Sequence, residues 1–170
     1  MSMCPDRLEL IALSDMPLVA AGDDLAELIA DALQKSDLQL DDHDVLVVAQ
    51  KIVSKAEDQL VDLATVVPSE QAQRRAGETG KDPRLLELIL RESVRVVRQT
   101  DSLIITETTF GAVMANSGVD QSNVEASHAL LLPEDPDRSA ATLRQHLMER
   151  FSKIVGVVIA DSMGRAWRQG

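Results

Sequence analysis

Two short polar loops hold the residue types that could bind a cation and a phosphate. The first, Ala115-Asn116-Ser117-Gly118-Val119-Asp120-Gln121-Ser122-Asn123, gathers a carboxylate, amides, hydroxyls and a glycine directly after the apolar run Leu103-Ile104-Ile105. The second, Asp161-Ser162-Met163-Gly164-Arg165, closes the β-branched run from Ile154 to Ala160. Two strands would then each deliver an aspartate at the carboxyl end, which is where open α/β sheets place their ligands. Two carboxylates beside hydroxyl and amide oxygens suit a hard divalent cation, so the expected cargo is metal with phosphate. A third stretch, Gln50-Lys51-Ile52-Val53-Ser54-Lys55, follows the run Val47-Val48-Ala49. Residues four apart share one helix face, so Lys51 and Lys55 could reach one phosphate group together.

Each of these residues also has a plainer reading. Asp120 could stabilise a turn after Gly118, Asp161 could cap a helix, and on spacing alone solvated lysines are the simpler account of Lys51 and Lys55. Arg165 and Arg168 could clamp an anion or simply lie on the surface. Gly77-Glu78-Thr79-Gly80-Lys81-Asp82 is not a P-loop, because its glycines are too close and Asp82 stands where a hydroxyl is needed. No Gly-x-Gly-x-x-Gly or Gly-x-Ser-x-Gly occurs, and His43, His128 and His146 are too scattered for a metalloprotease pattern. The three histidines read as surface or loop residues.

A chain of 170 residues fits one domain, spanning 1–170, with a core of its own. The formal charge of −11, from 28 acidic and 17 basic groups, repels nucleic acid, and Phe110, Phe151 and Trp167 are too few to make a base-stacking platform. An anionic small ligand would meet the same repulsion and needs local lysines, arginines or a bridging metal. Cys4 is the only cysteine, which rules out an internal disulfide or a zinc cluster and suits a reducing cytoplasm. Asp6, Arg7 and Glu9 precede any long apolar run and nothing approaches a membrane span, so the sequence reads as soluble, unexported and cytoplasmic.

Strand and helix signals alternate. Leu8 to Leu13 reads as a short strand, Asp23 to Lys35 as an amphipathic helix, Asp44 to Ala49 as a buried strand and Leu60 to Leu63 as a short one. Ser69 caps a polar helix towards Gly77, and Pro83 opens an apolar one. Val94 to Val97 and Leu103 to Thr106 read as a hairpin-like pair and Pro133 to Asp137 as a loop. Ser139 then caps a helix to Arg150, and Ile154 to Ala160 is the last strand. The expected fold is α/β, more closely mixed α+β, with helices packed on a β-sheet and the two aspartate loops at one end.

Taken together, these segments resemble the coenzyme F420-0:gamma-glutamyl ligase family. The resemblance rests on Val47 through Glu57, Gly80-Lys81-Asp82-Pro83-Arg84-Leu85 and Leu90-Arg91-Glu92-Ser93. It continues through Ala115 to Asn123, Leu131-Leu132-Pro133-Glu134-Asp135-Pro136-Asp137, and Asp161-Ser162-Met163-Gly164-Arg165-Ala166-Trp167-Arg168. The order and spacing cover nearly the whole chain.

That resemblance implies a GTP-dependent ligase of coenzyme F420 biosynthesis. Such an enzyme joins L-glutamate to the terminal carboxylate of a deazaflavin precursor through an acyl phosphate and releases GDP and phosphate. It implies Mg or Mn, with room for a monovalent cation, and an intertwined homodimer. Carried over by motif, Met16, Pro17, Leu18 and Val19 line the nucleotide pocket, Gln50, Lys51 and Asn123 contact the nucleotide, and Lys55 reaches its phosphates. Asp120, Asp161 and Ser162 ligate metal; Ser162 stands where relatives more often carry threonine, Ala166 replaces a usual proline, and Ser117 a usual alanine. Thr109 to Met114 departs from the family pattern beside the deazaflavin pocket. The resemblance implies that relatives continue past the Trp167-Arg168 region, so the expectation is that the 170 residues form an incomplete version of the family fold. The alternative is a truncated, non-catalytic paralogue that binds nucleotide and metal without turnover.

Overall fold

The computed structural model describes residues 8–161. Local signals set most of the element boundaries. Helix α1 (Leu25–Lys35) begins at Asp24, whose carboxylate accepts from the Ala26 and Glu27 amides at 2.9 and 3.2 Å. Such a cap satisfies donors that the first turn leaves unpaired and is worth about 1 kcal/mol. Strand β1 (Val45–Ala49) runs directly into α2 (Gln50–Ala56). After β2 (Leu60–Asp62) and a 3-10 turn over Leu63–Thr65, α3 (Glu70–Thr79) starts on the Ser69 hydroxyl and ends at left-handed Gly80. Helix α4 (Pro83–Arg91) has Asp82 as its cap and Pro83 in its first turn, where the missing amide hydrogen costs nothing. Strands β3 (Ser93–Gln99), β4 (Ile104–Thr108) and β5 (Val113–Ala115) follow, then β6 (His128–Leu130), α5 (Pro136–Phe151) and β7 (Gly156–Ala160).

The fold is mixed α/β, but the helices do not share one sheet. Among the described residues β1 pairs in parallel only with β7, β2 pairs antiparallel with β6, and β3-β4-β5 form an antiparallel meander. Two cores result. One gathers Leu63, Ala72, Leu86, Leu88, Ile89, Ile104, Val119 and Ala129 between α3, α4 and the meander. The other gathers Ala26, Ile29, Leu33, Val48, Val53, Leu143, Leu147 and Val155 between α1, α2, α5 and the β1/β7 pair. Helix α2 meets β6 across the seam: the Gln50 amide donates to the Leu131 carbonyl at 3.4 Å, and the Leu131 N–H donates to the Gln59 carbonyl at 3.0 Å.

Five expectations need correction, the first being that β1, expected to be buried, leaves Val45 and Val47 exposed and buries only Val48. Leu8 to Leu13 forms no strand; Leu8, Leu10 and Ile11 are exposed and have no strand partner among the described residues. The last helix starts at Pro136 on an Asp135 cap, not at Ser139, because Asp-Pro supplies both the capping carboxylate and the preset φ of a first turn. His128 lies half-buried in β6 and is not a loop residue. The Asp120 loop does not leave the Leu103–Ile105 strand directly, since β5 and the turn Asn116–Gly118 intervene. Among the described residues no helix is long and apolar enough to cross a membrane.

Candidate functional site

Strands β1 and β7 end flush. Their register runs from Val45 opposite Gly156 to Ala49 opposite Ala160, so Gln50 and Asp161 are the next residues on neighbouring parallel strands. Chain direction separates them there: Gln50 opens α2, and Asp161 leaves the sheet exposed. Gln50 is buried and donates to the Ser54 hydroxyl at 2.5 Å, which fixes the first turn of α2 from inside. Lys51, on the same turn, points across the seam to Asp120.

The Asp120 carboxylate is the centre of this cluster. Its Oδ2 lies 2.5 Å from Lys51 Nζ and accepts the Ser122 hydroxyl at 2.7 Å, while Oδ1 accepts the Ser122 amide at 2.8 Å. Lys51 also donates to Ser122 Oγ, so Ser122 binds both members of the pair. The Asp120 backbone is held in turn, exchanging two hydrogen bonds with Leu130 at the end of β6. Burial is the largest single influence on the Asp120 carboxyl and pushes its pKa up. Donation from Lys51 and from the amide and hydroxyl of Ser122 outweighs it, and the carboxyl titrates below its ordinary value. These donors favour the charged form of the Asp120 carboxylate. Among the described residues Asp120 pairs with Lys51 and Ser122, Asp161 follows the last residue of β7, and no group of three or more His, Cys, Asp or Glu side chains comes together to hold a metal ion.

The turn before Asp120 is strained. Asn116, Ser117 and Gly118 have φ of 55, 52 and 73°, three successive residues in the left-handed region, which costs roughly 1–2 kcal/mol for each non-glycine residue. Buried Ser117 holds the turn by donating to the Ile89 carbonyl at 2.9 Å and pairing with the Thr106 hydroxyl at 2.7 Å. The buried Asn116 Oδ1 has no hydrogen-bond partner among the described residues.

Other residues expected at the site are placed differently. Met16 packs on the core beside α1, whereas Leu18 is almost fully exposed, and the segment Met16 to Val19 has no regular structure. The chain touches the far end of α2 only after this segment, where the Gly22 amide donates to the Ala56 carbonyl at 2.9 Å. Lys55 is half-buried and makes no ion pair among the described residues. Asn123 is exposed with φ of 59°, one residue beyond Ser122. Ser162, Arg165 and Arg168 lie outside the described residues. Ser122 and Ser54 are the polar contacts to which sequence reasoning gave no role; the short spacing of Ser122 from Asp120, which suits an Asx turn, was the available signal.

A cavity of about 580 Å³ opens elsewhere, between α1, α2 and α5, with Asp23, Glu57, Glu134, Arg138 and His146 on its walls. Its carboxylates disfavour a triphosphate, and neither Lys51 nor Asp120 lines it. The Lys51–Asp120 cluster is the better candidate for phosphate chemistry.

A mixed α/β protein that sets a lysine–aspartate pair beside the flush ends of two parallel strands defines the class. A family model described as F420-0:Gamma-glutamyl ligase matches residues 14–170, and the chain belongs to that family. It is similar to the coenzyme F420:L-glutamate ligase of Methanopyrus kandleri, 49% identical over 152 residues, covering 89% of this chain and 58% of the relative. It is also similar to the coenzyme F420:L-glutamate ligases of Methanothermobacter thermautotrophicus, 44% identical over 96% of this chain and 65% of the relative, and of Archaeoglobus fulgidus, 41% identical over 96% and 64%. The chain thus spans about three fifths of the length of these relatives.

Proposed function

We propose that this chain carries the ligase chemistry of its family: GTP-dependent addition of L-glutamate to the deazaflavin coenzyme F420-0 through an acyl phosphate, in coenzyme F420 biosynthesis. The observation that supports it is the Asp120–Lys51 pair, 2.5 Å apart beside the ends of β1 and β7, in a chain similar over most of its length to coenzyme F420:L-glutamate ligases. In this reading Asp120, Asp161 and Ser162 hold Mg or Mn, with a monovalent cation alongside, and the divalent ion neutralises phosphate charge when bound. Met16 to Val19, Gln50 and Asn123 line the nucleotide, and Lys51 and Lys55 face its phosphates from one side of α2.

The γ-phosphoryl group passes to the terminal carboxylate of F420-0, and GDP leaves. The amine of glutamate then attacks the acyl carbon, an amide bond forms, and inorganic phosphate departs. Phosphoryl transfer of this kind needs positioning and charge neutralisation more than covalent help from the protein. A fixed carboxylate and two lysines on one helix supply those. The active form in this reading is a cytoplasmic homodimer.

The test is to incubate the purified chain with GTP, L-glutamate, F420-0 and Mn, then follow GDP release and the mass of the deazaflavin. A product heavier by one glutamyl residue is the expected result. GTP binding without turnover would replace the ligase reading with that of a nucleotide- and metal-binding paralogue, and no GTP binding at all would sink both.

A further inference from the structure

Resting on the cation site proposed above, we infer that Lys51 is a built-in, displaceable counter-ion: its ammonium holds the Asp120 carboxylate until a divalent ion takes its place, and the released ammonium turns to the phosphates. Both oxygens of Asp120 already accept hydrogen bonds. Oδ1 takes the Ser122 amide, and Oδ2 takes both the Ser122 hydroxyl and Lys51. A carboxylate oxygen offers about two lone-pair directions, so while Lys51 stays Oδ2 has none left for a metal and Oδ1 has one, and two-oxygen binding of an ion needs the ammonium to leave. On Oδ2 a divalent ligand distance of roughly 2.0–2.6 Å would also put the ion against the ammonium, and like charges that close exclude each other.

The parts that would move and those that would stay are distinct. The backbone of Lys51 is fixed by the β1 register and by the buried Gln50–Ser54 contact, while its head group ends a flexible four-carbon chain and its side chain is 28% exposed. The Asp120 backbone is clamped to Leu130. Exchange therefore needs only a swing of one lysine head group. That swing leaves Ser122 Oγ without its Lys51 donor and carries a positive charge towards the helix face shared with Lys55. Since one event creates both the cation site and a phosphate contact, metal and nucleotide favour each other's binding, and the coupling is reciprocal.

Calorimetry or electron paramagnetic resonance with Mn alone tests this. Lys51→Met should tighten Mn binding by about two- to five-fold, because the ion no longer displaces a paired ammonium. Lys51→Arg should not tighten it, and Lys81→Met should leave it unchanged within error. In the unmodified chain, labelling of Lys51 by an amine-reactive reagent, read by mass spectrometry, should rise when Mg is added. Labelling of Lys153, paired with Asp41 at 3.1 Å, should not. If Asp120→Asn loses Mn binding but Lys51→Met leaves it unchanged or weaker, the exchange is wrong and the cation site stands. If the unmodified chain does not bind Mn, or Asp120→Asn binds it equally well, the cation site falls and the exchange with it. Should Lys51→Met fail to fold, the labelling decides: no rise with Mg, in a chain that binds Mn, overturns the exchange.

Discussion

Gly118 is where a single methyl group should do most harm. Its φ of +73° places it in the left-handed region, and a Cβ built there would lie 2.5, 2.6 and 2.9 Å from Cδ1, Cγ and Cδ2 of Leu132. Two costs follow from Gly118→Ala. The backbone conformation costs a non-glycine residue about 1–2 kcal/mol. Forcing Leu132, which is only 8% exposed, out of its packed position costs about 1–3 kcal/mol more. The sum, about 2–5 kcal/mol, is a large share of the roughly 5–15 kcal/mol that keeps a domain folded. Urea denaturation followed by circular dichroism measures it directly; in a thermal scan each kcal/mol lowers Tm by roughly 2–4 °C at this chain length. A double-mutant cycle separates the two costs. With Leu132→Ala already present the methyl group has room, and Gly118→Ala should then cost only the backbone share, about 1–2 kcal/mol. An equal penalty in both backgrounds, or less than about 1 kcal/mol in the unmodified chain, would refute the steric half of the reasoning.

Three further outcomes are expected. Ser117→Ala strips a donor from the Ile89 carbonyl and a partner from the Thr106 hydroxyl, both in the core, and should cost about 1–3 kcal/mol in the same denaturation assay. Glu87 is nearly buried and accepts from the Ser69 amide and Arg91 Nε, each at 2.9 Å. Hydrogen bonds from Ser69 first, then Arg91, hold its carboxyl below the ordinary value against the opposing pull of burial. A depressed carboxyl stabilises the fold above its unfolded pKa and loses that contribution as pH falls through the folded one, so Glu87→Gln should destabilise at pH 7 and much less at pH 3. A penalty independent of pH would show that packing, not charge, is what Glu87 supplies. Lys55→Ala should weaken GTP by about 1.5–3 kcal/mol, a ten- to hundred-fold loss by calorimetry, and unchanged affinity would remove Lys55 from the phosphate site.

Local chemistry was readable in the sequence where one residue decides one boundary. Asp24, Ser69 and Pro83 start helices because a cap or a preset φ acts within a few residues. The β-branched runs of β1 and β7 were legible for the same reason. What escaped was pairing. Leu8 to Leu13 has a strand's composition, but a strand exists only with a partner, and none is supplied to it among the described residues. Strands β5 and β6, three residues each, are too short to show alternation and are held by β4 and β2. The same limit applies to the site. The loops of Asp120 and Asp161 and the lysine segment could be picked out by residue type, but the contact of Lys51 with Asp120 depends on two cores packing side by side, which no spacing within one segment encodes.

The seam between those cores has a consequence for how occupancy could be seen from a distance. Each half packs around its own cluster, with α4 in one and α5 in the other, and the seam is crossed by the Leu131–Gln59 and Gln50–Leu131 hydrogen bonds and the Lys51–Asp120 pair. A ligand held at once by Lys51 on one side and Asp120 on the other would replace their direct pair with a wider bridge and tighten the seam. Amide protons deep in α4 and α5, which touch neither residue of the pair, would then slow their exchange with solvent in step, and the two helices would act as remote gauges of a site neither one builds.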